Sequence, residues 1–245
     1  MKVVFLGATK GMGRALARCM AARGDTLFLL GRDREELARS AADLQVRGVN
    51  GEVRSAYCDL LDTATFAPAL DAAAAALHGF DTVVVTAGLF DSEDRLEADA
   101  GLRGRLLTAD FTNTVEFCEL ARARLLASGG GTLCVFSSVA GERARKPVIL
   151  YGAAKAGLSH YLEGLDHKFR AQGLRTVLVK PGFVRTGMTA GLKPPPFAGE
   201  PEAVARTVLA AIDKGKPEVY VPGVWRWIML AIRLLPRAVM RRIEF

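Results

Sequence analysis

Residues 3–13 read VVFLGATKGMG, and this stretch decides the fold. Val3-Val4-Phe5-Leu6 is an unbroken apolar, β-rich run, as expected of a strand buried on both faces. It breaks into Gly7-Ala8-Thr9-Lys10-Gly11-Met12-Gly13, and a helical pattern follows through Arg23. A strand, a glycine-rich turn and a helix N-terminus in succession make an anion site. Glycines let the backbone approach a pyrophosphate, while the helix's free N–H groups and dipole favour its charge. The spacing is G-x-x-x-G-x-G rather than the commoner G-x-G-x-x-G.

Outward from this stretch the alternation repeats. Strand-like runs fall at 26–30, 53–58, 81–85, 133–136, 175–179 and 218–221, with helical patterns at 34–46, 62–77, 101–127, 150–172 and 201–213 between them. This order implies α/β architecture: one doubly wound Rossmann-type domain, about seven parallel strands with helices on both faces. We assign it residues 1–222, leaving 223–245 as a basic amphipathic extension. Residues 89–104, rich in acid and glycine, are expected as a loop. So are residues 188–199, where Pro194-Pro195-Pro196 suits a lid over substrate.

Composition narrows the class. A chain of 245 residues, half apolar and a quarter charged, fits one large soluble domain with a sizeable core. Cys19, Cys58, Cys118 and Cys134 lack metal-ligand spacing and lie in apolar patterns, so they read as reduced core thiols. His78, His160 and His167 are too dispersed for a metal site, and no metal is expected. Met1-Lys2 leads straight into a strand without a signal-peptide pattern, and a cytoplasmic setting is expected. The net charge of +7 gathers at the C-terminal end without a nucleic-acid reading module, which argues against a nucleic-acid partner.

The chemistry sits in SSVAGERARKPVILYGAAK, residues 137–155. Tyr151 and Lys155 are four apart, hence one turn apart on one helix face. A phenol titrates near pH ~10 and is a poor acid or base at neutrality. A neighbouring ammonium lowers that value toward the range useful for proton transfer. Ser138, just past an apolar strand, can donate to a carbonyl oxygen. Together they form a device for moving a proton at a carbonyl or alcohol oxygen. The plain alternative is a half-buried Tyr beside a solvated Lys. At the end of the second strand, Arg32 replaces the acid that NAD-selective folds place there, and Asp33 reads as a helix N-cap. With Lys10 it suits a ribose 2′-phosphate, so NADP(H) is expected over NAD(H). Asp59 either accepts from an adenine amino group or caps the helix that follows.

Gly7-x-x-x-Gly11-x-Gly13, Asp59-Leu60, Ala87-Gly88, Ser138, Tyr151-x-x-x-Lys155 and Pro181-Gly182 occur in an order that resembles the short-chain dehydrogenase/reductase family over nearly the whole chain. The resemblance implies Tyr151 as acid/base, Lys155 as the cation that tunes it and holds the nicotinamide ribose, and Ser138 as the carbonyl anchor. It implies cofactor contacts from Gly7, Thr9, Lys10, Gly11, Met12, Gly13, Arg32, Asp59, Leu60, Ala87, Gly88, Pro181, Gly182, Val184 and Thr186, besides Tyr151 and Lys155. It also implies a homodimer or homotetramer paired through the helices at 101–127 and 150–172. Two departures stand out. The family's Asn-Asn-Ala-Gly is Val85-Thr86-Ala87-Gly88 here, and Asp110 takes the place of its fourth catalytic residue, an Asn that supports a proton-relay water. Asp110 is expected near Lys155.

Within the family, residues 140–146, 184–188 and the tail are similar to decaprenylphosphoryl-2-keto-ribose reductases, which act on a lipid-linked keto sugar. The tail from Trp225 to Ile243 is apolar with spaced arginines, too short and too charged to span a bilayer. It suits either the interface of an anionic membrane, as a peripheral protein on its inner face, or a neighbouring subunit. The expected function is NADPH-dependent reduction of a ketone to a secondary alcohol, on a lipid-linked keto sugar. The alternatives are the same chemistry on a soluble hydrophobic ketone (steroid, fatty-acyl or xenobiotic) and a catalytically weakened cofactor-binding scaffold.

Overall fold

The computed structural model describes residues 1–243. Its strands are β1 (Lys2–Leu6), β2 (Thr26–Gly31), β3 (Arg54–Tyr57), β4 (Thr82–Val85), β5 (Gly131–Phe136), β6 (Leu174–Pro181) and β7 (Glu218–Val221). They form one parallel sheet in the order β3-β2-β1-β4-β5-β6-β7. The helices are α1 (Gly11–Ala22), α2 (Arg34–Gln45), α3 (Phe66–Leu77), α4 (Glu93–Ala98) and α5 (Ala100–Leu107). After them come α6 (Asn113–Ala127), α7 (Ile149–Phe169), α8 (Pro201–Asp213), α9 (Trp225–Leu234) and α10 (Arg237–Met240).

The continuous apolar strands explain the layering. Successive side chains of β1 point to opposite faces, so Val3 and Phe5 enter one core with Leu16, Met20 and Val208. Val4 and Leu6 enter the other with Phe66, Phe117 and Leu158. Helices α1, α2 and α8 cover the first face and α3, α6 and α7 the second. Sheet order reverses between β1 and β4, which opens a crevice at their carboxyl ends. The expected Rossmann-type architecture is the one observed.

Local expectations fare unevenly. Residues 89–104 are not a loop but hold α4 and most of α5, where Asp99 accepts the Leu102 N–H at 3.0 Å as an N-cap. Leu96 and Leu106 bury there against Ala154, building a third, small apolar cluster. The helix expected over 101–127 is broken by a π-turn at Thr108–Thr112, which carries Asp110. The segment starting at Asp62 begins as a 3-10 turn, and Asp62 itself caps it by accepting from Ala64 N at 3.1 Å. Asp59 is therefore not that cap. Residues 190–199 stay irregular, tied at Val184 and Gly199 by a single bridge.

The extension folds back on the domain rather than standing apart. Trp225 lies on Gly182 so closely that a Cβ there would sit 2.1 Å from Trp225 Nε1. Met229 is buried, Arg143 donates to the Leu235 carbonyl at 2.8 Å, and Arg233 pairs with Glu142 at 3.2 Å. Glu142 in turn shares the buried Lys180 ammonium with Glu218. No helix among the described residues is long and apolar enough to cross a membrane.

Candidate active site

The crevice between the carboxyl ends of β1 and β4 is a cleft of about 410 Å³. Its floor is the glycine turn. Gly7 has φ +99° and its missing Cβ would lie 2.5 Å from Ala87 N; that of Gly13 would lie 2.2 Å from the Gly7 carbonyl oxygen. Both positions therefore require glycine, one for conformation and both for close approach. Thr86, where the family has Asn, donates its hydroxyl to the Gly7 carbonyl at 2.9 Å and so joins β4 to the turn. No side chain among the described residues caps the N-terminus of α1. Its free N–H groups beside backbone that a side chain would obstruct fit a pyrophosphate.

Arg32, just past β2, and Lys10 line the cleft, both exposed and neither with a hydrogen-bond or ion-pair partner among the described residues. The nearby acids are engaged. Asp33 accepts Glu36 N at 3.0 Å as the N-cap of α2, and Glu36 pairs with Arg14 and Arg39. Asp59, Leu60, Thr9, Gly11, Met12, Ala87, Gly88 and Thr186 line the same cleft. Five expected cofactor residues do not: Tyr151 and Lys155 stand beyond it, and Pro181, Gly182 and Val184 lie behind its wall. Pro181 ends β6 paired with Val221, and Gly182 is covered by Trp225. Val184, 2 % exposed, is committed to the core. The Pro-Gly pair thus seats the tail, and it is Thr186, Gly187 and Met188 beyond it that reach the cleft. Sequence reasoning missed Thr86, Cys58, Leu61, Leu89 and Ala109; Thr86 had a signal in its place after the fourth strand, and the others had none.

Ser138, Tyr151 and Lys155 meet beyond the cleft. Ser138 follows β5, and its side chain accepts Ala140 N at 3.1 Å. Tyr151 stands in the first turn of α7 with its phenol close enough to Ser138 to be influenced by that hydroxyl, and its ring lies edge-on to Phe90 at 5.1 Å. Lys155 Nζ lies 5.6 Å from the Tyr151 ring centroid and 3.3 Å from Asp110 Oδ2. Asp110 Oδ1 accepts Leu89 N at 2.6 Å. Both charges are buried, Asp110 fully, and a Cβ on Gly88 would meet the two at 3.1 and 3.4 Å. The expected Asp110–Lys155 pairing is observed. Sequence reasoning missed Glu93, a buried carboxylate on α4 that accepts Leu150 N at 3.2 Å, where no side chain of α7's own N-terminus does so.

Electrostatics follow from this burial. Burial raises the Tyr151 phenol; Lys155 pulls it down, Asp110 pushes it up, and the Ser138 hydroxyl pulls it down. Burial opposes the Lys155 charge, yet Asp110 outweighs it, with help from Tyr151, and holds the ammonium above its ordinary value. Burial also lifts the Asp110 carboxyl above the usual carboxylate range, against Lys155 and the Leu89 N–H. Asp110 therefore cancels part of the help that Lys155 gives Tyr151.

A model of the short chain dehydrogenase family matches residues 1–196. The chain belongs to the short-chain dehydrogenase/reductase family. It is 37% identical over 241 residues to an uncharacterized oxidoreductase of Mycobacterium tuberculosis, covering 98% of this chain and 96% of that one. It is 25% identical over 215 residues to carbonyl reductase family member 4 of Xenopus tropicalis, covering 84% and 89%. A short-chain type dehydrogenase/reductase from Mycobacterium ulcerans shares its fold, with TM-score 0.81 at 22% identity over 89% of this chain and 86% of that one. The family is one of oxidoreductases that use a nicotinamide cofactor, and the cleft's glycine cradle and uncapped α1 fit that group.

Asp110→Asn keeps the acceptor for Leu89 N and removes the negative charge. Without it the Tyr151 pKa falls, since Asp110 is one of its upward pushes. With Tyr151 in its expected role as acid/base, reduction needs the protonated phenol, so its loss at alkaline pH begins at lower pH in the variant; oxidation needs the phenolate, so its rise from the acid side also moves down. Full pH profiles of kcat/KM in both directions check this. A shift upward would mean that Lys155 had lost its proton along with its partner, contradicting the assignment.

Proposed function

We propose that this chain reduces a ketone to a secondary alcohol with NADPH. The observation that carries the reading is the Ser138–Tyr151–Lys155 group, half-buried at Ser138 and Tyr151 and buried at Lys155, beside a cleft that presents two unengaged cations, Arg32 and Lys10. The cofactor, when bound, supplies hydride to the carbonyl carbon. Ser138 holds the carbonyl oxygen, and Tyr151 gives that oxygen its proton. Lys155 keeps the phenol a usable acid, and Asp110 keeps Lys155 charged in a buried site. Glu93 fixes the first turn of α7 and with it the position of Tyr151. The likeness to a carbonyl reductase supports the substrate class.

The surroundings of Tyr151 are apolar: it packs with Leu102, Leu107 and Leu150 against the small core of Leu96, Leu106 and Ala154, and Phe90 lies edge-on to its ring. This supports a hydrophobic ketone, and the sharper reading is a lipid-linked keto sugar, on the likeness of residues 140–146 and 184–188 noted above. The same reading pairs copies of the chain through α6 and α7, beside which Phe111 stands exposed. The Asp at position 110 favours one rival, a cofactor-binding scaffold with weak turnover.

Cofactor choice tests the reading. Arg32→Asp removes a charge-assisted phosphate contact of about 1.5–3 kcal/mol, so the preference for NADPH over NADH falls by roughly 10- to 100-fold. Titration of parent and variant with both cofactors reads this directly. An unchanged preference overturns the role of Arg32, and a parent that favours NADH overturns the NADPH assignment.

A further inference from the structure

Eleven large apolar side chains stand exposed among the described residues, and all but Val46 and Phe111 fall in three places: Ile149, residues 188–197 and residues 224–239. These places share one end of the molecule. Ile149 stands two residues before Tyr151, and residues 188–197 continue from the Thr186–Met188 wall of the cleft. Helix α9 is fastened to the loop after Ser138 through Glu142 and Arg143. The exposed apolar surface is therefore gathered around the mouth of the site instead of being scattered.

Helix α9 itself has two apolar faces. At about 100° per residue, Trp225, Ile228, Met229 and Ile232 share the face turned to the domain. Trp227, Leu230 and Leu234 share the opposite face, and Trp227 and Leu234 are 66% and 76% exposed. The inner face already seats the helix, so the outer ridge contributes nothing to the fold that its inner face does not. Residues 223–243 hold five arginines and no Asp or Glu. Arg226, Arg237, Arg241 and Arg242 are exposed and have no acidic partner among the described residues.

We infer that α9 and α10 seat the mouth of the active site on an anionic lipid surface. The ridge of Trp227, Leu230 and Leu234 enters the headgroup boundary, and the arginines meet the lipid phosphates. A second copy of the chain is the competing occupant. An isologous pairing through this ridge sets Arg226, Arg233 and Arg237 against their own counterparts, whereas an anionic surface complements all of them. Seating of this kind presents the cleft to amphiphilic carbonyls held in the bilayer plane. The surface itself stands independently of the reaction proposed above.

The test is co-sedimentation of the full chain with vesicles of equal parts phosphatidylglycerol and phosphatidylcholine, and with phosphatidylcholine alone. The parent pellets with the anionic vesicles only, and less as salt rises. Trp227→Ser combined with Leu234→Ser abolishes the pelleting. Arg237→Glu combined with Arg241→Glu weakens it by at least about fivefold per arginine. None of these residues touches Gly182, Glu142 or the cleft, so cofactor titration of the variants matches the parent and verifies their folding. A parent that pellets with neither vesicle overturns the inference, as do variants that pellet like the parent. Conversion of a dimer to a monomer by the Trp227/Leu234 variant, without vesicle binding in the parent, assigns the ridge to a second copy instead. Absence of turnover in a parent that pellets counts against the reaction and leaves the surface standing.

Discussion

Replacing Tyr151 with Phe removes turnover by about 10²- to 10⁴-fold while leaving cofactor affinity unchanged. The ring stays, and with it the edge-on contact to Phe90, so the change deletes one hydroxyl and little packing. That hydroxyl faces Ser138, where it is placed to protonate an oxygen held there. On the proposed reading cofactor affinity rests elsewhere, on the glycine turn, the N-terminus of α1 and the cations Arg32 and Lys10. Stopped-flow turnover alongside an NADPH titration separates the two quantities. Loss of binding together with turnover would mean that the phenol serves the cofactor; near-normal turnover would remove Tyr151 from the chemistry.

Lys155→Met has the largest expected effect on stability. Its ammonium and the Asp110 carboxylate lie 3.3 Å apart with almost no exposure. Removing the cation leaves a buried carboxylate facing Gly88 and the Tyr151 phenol without its counter-ion. Breaking a buried pair in this way costs about 3–5 kcal/mol, a large part of a domain's stability. Adding Asp110→Asn discharges the orphan while keeping its bond from Leu89 N, so the double variant regains most of the loss. Activity does not return, because no cation remains beside Tyr151. Urea midpoints of the parent, both single variants and the double variant form the cycle. A loss under about 1 kcal/mol in Lys155→Met, with no recovery in the double variant, contradicts an ionised buried pair.

Features set by local constraint were readable from the residues. Gly7 and Gly13 had to be glycine for steric reasons that the turn itself imposes, and β1 announced its two-sided burial by being apolar throughout. Asp33 was legible as an N-cap because a cap acts three residues away. The four-residue spacing of Tyr151 and Lys155 placed them on one face, whereas it was the resemblance to the family that placed Asp110 near Lys155. Features made by distant contacts were not readable. Glu93 meets the start of α7 across 57 positions of sequence, and nothing in its neighbourhood marks it. Gly182 looked like a cofactor residue because it stands in Pro-Gly, yet the structure uses its bare backbone to receive Trp225 from 43 positions on. The π-turn at 108–112 was hidden too, since its residues fit an unbroken helical pattern. Helix α4 escaped because acid and glycine dilute the periodicity of Leu96 and Leu102.

The central claim is that Tyr151 delivers a proton to a carbonyl oxygen while NADPH is oxidised. The most direct measurement is a single-turnover mixing experiment with excess protein, NADPH and a panel of hydrophobic ketones, following loss of the reduced nicotinamide's near-ultraviolet absorbance for parent and Tyr151→Phe. The account predicts stoichiometric oxidation by the parent with at least one ketone, appearance of the matching secondary alcohol, and a Tyr151→Phe trace flat on the same timescale. Tight NADPH binding with no oxidation by any ketone in the parent, or equal traces for parent and variant, would contradict it.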